Sequence, residues 1–298
     1  MALLNKTILL LFIFLISLQT LSHSQEVRIG TYIINAGKFD PQSGSYTVDF
    51  YLSMQCEVNC SANFEFANGR STTVDKITDL PNNKFYRIQA NLQNSPDFRK
   101  FPFDSQELTI EIEDKTKTKN ELEYAINEKE TGISKSVSFI GWDLKNWSTR
   151  VESIEYPVYD EVYSRYIFSI NLQRESLSSL LKVFFPVMLI LLLNFFAHFP
   201  NPDKVASRIT LHTSFIIAAV MFHVAIGNQL PPLGYLTLAD KFMFATYLSL
   251  GFSMLSSIII LELVEEKKEQ LANTVHKFSG LLSVVLWVLA MIIVYLTR

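Results

Sequence analysis

The sequence has 298 residues, a formal net charge of −3 and 49% hydrophobic residues. This near-neutral balance lacks the basic excess typical of nucleic-acid binding, so we expect no nucleic-acid partner. The average conceals two different parts, because the first half alternates polar and apolar residues whereas the last third consists mainly of long apolar runs.

Residues 1–24 have the pattern of a secretory signal peptide. One basic residue, Lys6, precedes an apolar run from Ile8 to Leu21, and Ser22-His23-Ser24 supplies small residues for cleavage before Gln25. A retained membrane anchor is the alternative interpretation. We expect the segment that follows to lie outside the cytoplasm.

The two cysteines, Cys56 and Cys60, lie in this exported part of the chain. In an oxidising compartment such a pair forms a small disulfide, which we favour modestly over free thiols. Two thiols are too few for a structural zinc site without histidines nearby, and none is nearby. The sequence therefore predicts no metal site, and no motif in it indicates a cofactor.

Residues 25–176 carry the period-two alternation that is typical of half-buried β-strands. Clear runs cover residues 27–33, 46–54, 108–112 and 166–172, with turn residues between them. Several short strands at this spacing indicate a β-sandwich, and about 150 residues suffice for one two-sheet core.

The segment Phe101-Pro102-Phe103 interrupts this alternation. Its aromatic side chains have two possible roles: they belong to the sandwich core, or they dock the sandwich onto a membrane domain. Composition alone favours the core. The last strand runs through Arg174 directly into an apolar segment, and this junction is too short to be a flexible tether. We therefore expect movements of the sandwich to reach the membrane part.

Residues 177–298 contain four apolar segments, each near the length of one bilayer crossing. Basic residues gather in the connections 200–206 and 265–277, which places both connections in the cytoplasm. With an exported N-terminal domain, this topology also puts the C-terminus outside. The predicted spans are about 180–199, 208–229, 239–263 and 278–297.

The second span carries a stripe that is hydroxylated at its inner end, aliphatic in the middle and amide-bearing at its outer end. At 100° per residue these side chains fall on one side of a helix. Such a stripe suits the lining of an ion pore, although its hydroxyls equally suit bonds to carbonyls of their own helix. The stripe consists of Thr210, Thr213, Ser214, Ile217, Val220, Met221, Val224 and Asn228.

Three histidines lie in or beside the predicted spans. His212 and His223 share a face that is not the stripe, and His198 lies at the inner end of the first span. Ionisable groups within membranes are functional candidates, and histidine titrates near neutral pH. Packing or hydrogen bonding between helices is nevertheless favoured over proton sensing for each of them.

Taken together and in order, these motifs resemble the pentameric ligand-gated ion channels of the Cys-loop receptor superfamily, in the prokaryotic form that lacks the loop cysteines. They include residues 101–106 without flanking cysteines, Gly141-Trp142, Arg174 before the first span, Pro186 within it, and the loop after the second span. The resemblance covers nearly the whole mature chain.

The resemblance implies a β-sandwich extracellular domain above a four-helix transmembrane domain, with each subunit joining four identical subunits in a ring around one pore. It implies gating by a small extracellular agonist or by protons, in the plasma or inner membrane. At the interface between the two domains it implies an ion pair between Asp104 and Arg174. The implied gating residues are Phe101, Pro102, Phe103, Asp104, Arg174, Pro232, Tyr235 and Thr237.

In the family, agonists bind in an aromatic pocket between neighbouring sandwiches. A cage for an amine needs several rings around one point. The candidate rings in this sequence are Tyr51, Phe64, Phe66, Tyr156, Tyr159 and Tyr163.

Ion selectivity is ambiguous at the inner mouth of the pore. The chain has Ser207 where cation-selective members carry glutamate, and Arg208 lies beside it. Asp203, one turn away, would contribute an acidic ring if Arg208 were turned aside, so cations are weakly favoured. The alternative function is a membrane-anchored binding module without a pore. An enzyme ranks last, because the sequence has no nucleophile–base pair, metal-ligand cluster or phosphate loop.

Overall fold

The computed structural model describes residues 24–201 and 204–296, so the predicted signal peptide, apart from Ser24, and Asp203 lie outside the described residues. The N-terminal part folds into ten strands. Their bounds are β1 Gln25–Ala36, β2 Ser45–Gln55, β3 Phe64–Phe66, β4 Gly69–Leu80, β5 Asn83–Gln93, β6 Ser105–Asp114, β7 Leu122–Ile126, β8 Gly132–Ile133, β9 Trp142–Tyr156 and β10 Glu161–Arg174.

The strands form the two sheets of the expected sandwich. One sheet has six strands in the order β4-β5-β2-β1-β7, with β8 paired to β1, and the other has the order β3-β6-β10-β9. Alternate residues of both sheets point inward, and Ile29, Phe50, Ile88, Ile110 and Phe168 are all fully buried in one shared core. The period-two pattern of the sequence is therefore the pattern of this core.

A disulfide joins Cys56 and Cys60 in the connection between β2 and β3. Their Cα atoms lie 5.4 Å apart, within the usual range for a bridged pair. The bridge closes a small loop at the edge of the sandwich, well away from the Phe101 segment in the sequence.

Four helices long and apolar enough to cross a membrane follow the sandwich. They are α1 Ser176–Phe196, α2 Val205–Gly227, α3 Leu238–Glu265 and α4 Glu269–Leu296. Within α1, residues Leu180–Phe184 form a π-helical turn, and the backbone N–H of Phe185 donates to the carbonyl of Leu180. Pro186 follows at once, and its missing N–H and its ring disfavour regular α-helical bonds at this point.

The helix bounds differ most from expectation at α4, which begins at Glu269 rather than near residue 278. The predicted connection 265–277 is therefore mostly helical, and only residues 266–268 separate α3 from α4. Residues 269–277 are too polar to be recognised by hydropathy, although they suit a helix that extends beyond the apolar layer.

The side chain of Phe101 does not belong to the sandwich core. It is buried in a separate cluster with Phe98, Val183, Ile226 and Ala239, which come from the sandwich loop, α1, α2 and α3. The preference for the core was wrong and the docking interpretation is correct. Composition did not reveal this, because an apolar ring is equally well buried in either place.

Candidate functional site

All eight residues of the predicted stripe on α2 are exposed in the isolated subunit. The apolar members Ile217, Met221 and Val224 are 58%, 66% and 55% exposed. The opposite face of the same helix packs against the other three helices, where Ala219 and Ile226 are buried. The stripe therefore points away from the helices of its own subunit.

The hydroxyl groups of the stripe donate hydrogen bonds to the preceding turn of α2. Thr210 donates to the carbonyl of Ala206 at 3.1 Å, Thr213 to Ile209 and Ser214 to Thr210 at 2.9 Å each. This is the local bonding that the alternative interpretation describes. A hydroxyl oxygen that donates its hydrogen keeps lone pairs that can still accept, so exposure and back-bonding coexist.

The two histidines of α2 make hydrogen bonds between helices. His212 Nδ1 lies 2.9 Å from Asn194 Oδ1 on α1, and His223 Nε2 lies 2.9 Å from Asp240 Oδ1 on α3. His223 Nδ1 also lies 3.0 Å from the Tyr247 hydroxyl. Both histidines lie off the stripe and join α2 to α1 and α3, as the favoured interpretation expects.

The inner end of α2 separates two neighbouring residues. Ser207 is exposed on the outward side, whereas Arg208 is completely buried among the helices. The arginine is thus turned aside from the stripe, the arrangement on which the preference for cations depends.

The ion pair between Asp104 and Arg174 is present at the base of the sandwich, where β6 begins and β10 ends. Arg174 donates from Nε to Asp104 Oδ1 at 2.7 Å and from Nη2 to Oδ2 at 3.1 Å. Asp104 is 1% exposed, and Gln106 donates a further bond to its Oδ2. The guanidinium also lies over the rings of Phe101 and Trp142, at 5.0 and 4.3 Å from their centroids. Both charges are therefore fully engaged at the base of the sandwich.

The Phe101 segment continues into the start of α3 through backbone hydrogen bonds. The N–H of Ala239 donates to the carbonyl of Phe101, and the N–H of Leu238 donates to the carbonyl of Arg99. On the other side of the segment, the ring of Phe103 stacks on Phe184 of α1 with centroids 5.5 Å apart. This loop of the sandwich therefore contacts two membrane helices directly.

Tyr235, in the loop between α2 and α3, completes this contact. Its hydroxyl accepts a hydrogen bond from the N–H of Phe98 at 3.0 Å, and the guanidinium of Arg99 lies 4.9 Å from its ring centroid. Asp97 accepts from the backbone N–H of Arg99 and pairs with its guanidinium, and these interactions hold the pKa of the Asp97 carboxyl below its usual range.

Thr237 caps α3, and Asp240 accepts from its backbone N–H and its hydroxyl. Pro232 is exposed in the same loop, and it does not join the buried cluster around Phe101. Of the predicted gating residues it is the one that the structure leaves at the surface. In contrast, Asp240 joins the capping box to His223 of α2.

Sequence reasoning missed one contact between the sandwich and α2. Gln42, in the turn between β1 and β2, donates from Nε2 to the carbonyl of Asn228 at 2.8 Å. The two residues are 186 positions apart, and no local pattern relates them. The contact brings a sandwich turn directly onto the outer end of the stripe.

Three of the predicted ligand-binding rings line one cavity of about 580 Å³ at the edge of the sandwich. Phe64 and Tyr156 are half-buried there, whereas Phe66 is 7% exposed and belongs mainly to the core. The buried carboxylate of Glu113 lies in the same cavity and accepts a hydrogen bond from the Tyr156 hydroxyl at 2.9 Å. Arg165 donates to both Glu113 and the Tyr156 hydroxyl. Burial and the bond to Glu113 raise the pKa of Tyr156.

The other three predicted rings are less closely grouped. Tyr163 packs edge-on against Tyr156 at 5.6 Å, and its hydrogen bond to Glu161 raises its pKa to about 12. Tyr159 is 71% exposed at the turn between β9 and β10. Tyr51 lies on the other sheet, where it stacks on Phe85. Within one subunit the six rings do not form a single cage.

Comparison with known proteins gives relatives of one functional kind. No protein-family model matches the chain. The chain is 24% identical over 229 residues to a proton-gated ion channel of Gloeobacter violaceus, an alignment that covers 76% of this chain and 63% of that protein. The chain is homologous to ligand-gated ion channels. The chain is also 23% identical to ligand-gated ion channel 50 of Caenorhabditis elegans and 21% identical to the human gamma-aminobutyric acid receptor subunit rho-1, and each alignment covers 62% of the present chain.

The chain spans less than two thirds of the length of these relatives. The alignments cover 63% of the bacterial protein and 37% and 39% of the two animal proteins. The relatives are channels and receptors rather than enzymes, in agreement with the ranking from sequence. The β-sandwich followed by four membrane-spanning helices agrees with a multi-pass membrane protein of this kind, with the sandwich outside the cytoplasm.

Proposed function

We propose that the chain is one subunit of a ligand-gated ion channel, in which five identical copies in a lipid bilayer surround a pore lined by α2. The observation that carries this proposal is the exposed stripe. A helix in a self-contained bundle would bury its aliphatic face, whereas α2 turns Ile217, Met221 and Val224 away from its own subunit. A ring of copies would turn the same side chains toward a central axis.

The stripe supports a preference for cations. The hydroxyl hydrogens of Thr210, Thr213 and Ser214 are donated to carbonyls of their own helix, so the outward lone pairs are available as acceptors for a cation. Arg208, the nearest fixed positive charge on α2, is buried away from the stripe. Both features lower the energy of a cation relative to an anion at the inner end of the pore.

A small extracellular agonist would bind at the cavity lined by Phe64 and Tyr156, with Tyr51 supplied across the subunit interface from a neighbouring copy. The charged groups that line the cavity balance, with Glu65 and Glu113 opposite in sign to Arg70 and Lys115, so it is the aromatic rings that favour a cationic ligand. Protons are the second candidate agonist, because one relative is named a proton-gated channel.

The chain would belong to the subtype that lacks the loop cysteines. No cysteine flanks the Phe101 segment, and the single disulfide lies in another connection of the sandwich. Because the relatives come from both a bacterium and animals, the assignment to this subtype rests on the positions of the cysteines in the sequence.

Reconstitution tests the proposal directly. Purified protein in planar bilayers should conduct current when a panel of small amines is applied or the pH is lowered. In a salt gradient, the reversal potential of this current should lie toward the equilibrium potential of the cation. Tyr156→Ala should raise the amine concentration needed without changing the current through open channels. Silence under all these conditions, with protein shown to be pentameric and inserted, would contradict the proposal.

A membrane-anchored binding module is the alternative function. The back-bonded hydroxyls on α2 favour it, because a helix with no pore function satisfies Ser and Thr in the same way. Under this alternative the sandwich binds its ligand normally, and substitutions on the stripe change neither ligand affinity nor membrane permeability.

A further inference from the structure

The buried Arg208 is the most unusual charged group of the membrane part. It is completely buried in the first turns of α2, although exposed residues of the same helix lie on either side of it. A guanidinium keeps its charge under all ordinary conditions, so this side chain must be held by acceptors. Thr210 lies two positions further along the chain, and at 100° per residue that spacing places the two side chains on nearly opposite sides of the helix.

Two histidines supply the acceptors. Arg208 Nη1 lies 2.9 Å from Nδ1 of His276 on α4, and Arg208 Nη2 lies 2.9 Å from Nδ1 of His198, just after α1. A guanidinium only donates, so both Nδ1 atoms must accept, and both imidazoles are neutral with their proton on Nε2. His198 Nε2 then donates to the hydroxyl oxygen of Ser253 on α3, at 3.1 Å.

No carboxylate compensates this charge in the part of the chain that the structure describes. The ion pairs among residues 24–201 and 204–296 include Arg165 and Arg174 but not Arg208. Within these residues the guanidinium is held by two neutral acceptors, and its Nε has no hydrogen-bond partner among them. Loss of one histidine would leave a charged donor group without a partner in a buried site, which strongly favours its movement to water.

We propose that His198 and His276 are positioning residues for ion selectivity, which act by holding the guanidinium of Arg208 away from the inner mouth of the pore. This inference rests on the proposed channel function. Ser207 is exposed beside Arg208, so a released arginine side chain has a short path to the aqueous mouth. In a pentamer its release would add a ring of five positive charges there, which repels cations and attracts anions.

The test compares single-channel currents of wild type, His276→Leu and His198→Leu in planar bilayers under a sodium chloride gradient. Each leucine variant should shift the reversal potential toward that of chloride and reduce the inward cation conductance about twofold or more. Adding Arg208→Gln to either variant should restore the wild-type reversal potential, because the released charge is then absent. A purely structural role for the histidines predicts no such restoration.

Two further variants separate positioning from packing. His276→Asn keeps an acceptor oxygen near the Nδ1 position and should retain wild-type selectivity. His223→Leu removes a histidine of the same helix bundle at the opposite end of α2, and it should leave the reversal potential unchanged. Labelling with phenylglyoxal adds a measurement independent of current, since Arg208 should be protected in wild type and reactive in the leucine variants.

The outcomes are distinguishable. A conducting wild type whose leucine variants keep its selectivity, or whose selectivity is not restored by Arg208→Gln, overturns this proposal and leaves the channel function intact. A wild type that conducts nothing contradicts the proposed function and overturns this proposal with it. Protection of Arg208 from phenylglyoxal in all variants likewise overturns it, because the guanidinium would then not have moved.

Discussion

In the sandwich, apolar side chains of both sheets are buried within one subunit. In the most apolar 18-residue stretch of each membrane helix, by contrast, only 17% to 33% of the residues are buried. The sandwich therefore has a closed core of its own. The helical part leaves apolar outer faces exposed, which under the proposed function would be covered by lipid and further copies. Under the proposed function, the sandwich would bind the ligand and the helices would mediate assembly, so these two roles belong to different layers of the molecule.

The two regions are joined by direct packing and hydrogen bonds rather than by a flexible linker. One apolar cluster joins the base of the sandwich to α1, α2 and α3, and backbone hydrogen bonds from Leu238 and Ala239 join it to the start of α3. The buried ion pair of Asp104 and Arg174 lies within the sandwich, directly before α1 begins. Because the sandwich and the helices share these contacts, a rearrangement of the sandwich must also disturb the packing of the helices. The predictions that follow weaken this connection or the bundle itself, from the largest expected effect to the smallest.

Arg174→Ala should have the largest effect. It leaves the buried carboxylate of Asp104 without its partner, which costs about 3–5 kcal/mol of folded or assembled stability. Thermal unfolding in detergent should show a lower midpoint, and agonist responses should disappear. The matched control is Arg150→Ala, since Arg150 pairs with Glu107 and Glu152 at the surface. That control should cost less than about 1 kcal/mol, and equal losses for both variants would contradict the role assigned to the buried pair.

Ile217→Ser should make opening easier. A hydroxyl in the aliphatic part of the stripe favours water there and weakens closure by dewetting. If the gain is near 1.4 kcal/mol, the agonist concentration for half-maximal current should fall about tenfold. Ile259→Ser provides a control on the exposed face of α3, away from the stripe. A similar shift from both substitutions would show that the effect is general and not a property of the stripe.

Gln42→Ala should reduce the coupling between sandwich and α2 modestly. The lost side-chain bond to the carbonyl of Asn228 contributes about 0.5–1.5 kcal/mol. Agonist binding to the sandwich should be unchanged, while the fraction of channels that open at saturating agonist falls. Unchanged opening would mean that this contact plays no part in transmission.

Acid should weaken the Asp97 contact only at low pH. The carboxyl's pKa lies below its ordinary value of 3.8 in the folded chain, so its contribution to stability is present above that value and is lost as the pH falls through the lowered pKa. Between pH 7 and pH 5 the Asp97→Asn variant should therefore show the same pH dependence as wild type in thermal unfolding. A difference in that range would mean that Asp97 titrates far above its ordinary value.

Local patterns predicted the features that repeat along one element. Alternation revealed the strands of the sandwich, hydropathy revealed the four helices, and a helical wheel grouped Ile217 with the other exposed residues of the stripe on α2. These features depend on periods of two or 3.6 residues, which can be read from sequence. Hydropathy did not predict that α4 begins at Glu269, because residues 269–277 are polar and hydropathy detects apolar stretches rather than helix ends.

Contacts between distant parts of the chain were not predictable in this way. Three contacts join segments far apart in sequence. They are the place of Phe101 among the membrane helices, the bond from Gln42 to Asn228 and the bond between Arg208 and His276. Each depends on the relative positions of elements rather than on the type of any one residue. The exception is the pair of Asp104 and Arg174, which resemblance to a known family indicated and the structure contains.

The most direct test of the central claim is the accessibility of single cysteines on α2. Both native cysteines are bridged, so the chain offers no free thiol in the background. Ile217→Cys and Ile216→Cys place a thiol on the stripe and on the packed face next to it. A positively charged methanethiosulfonate reagent should block agonist-evoked current through Ile217→Cys channels and leave Ile216→Cys channels unaffected. No block in either variant, or equal block in both, would contradict an aqueous pore along the stripe.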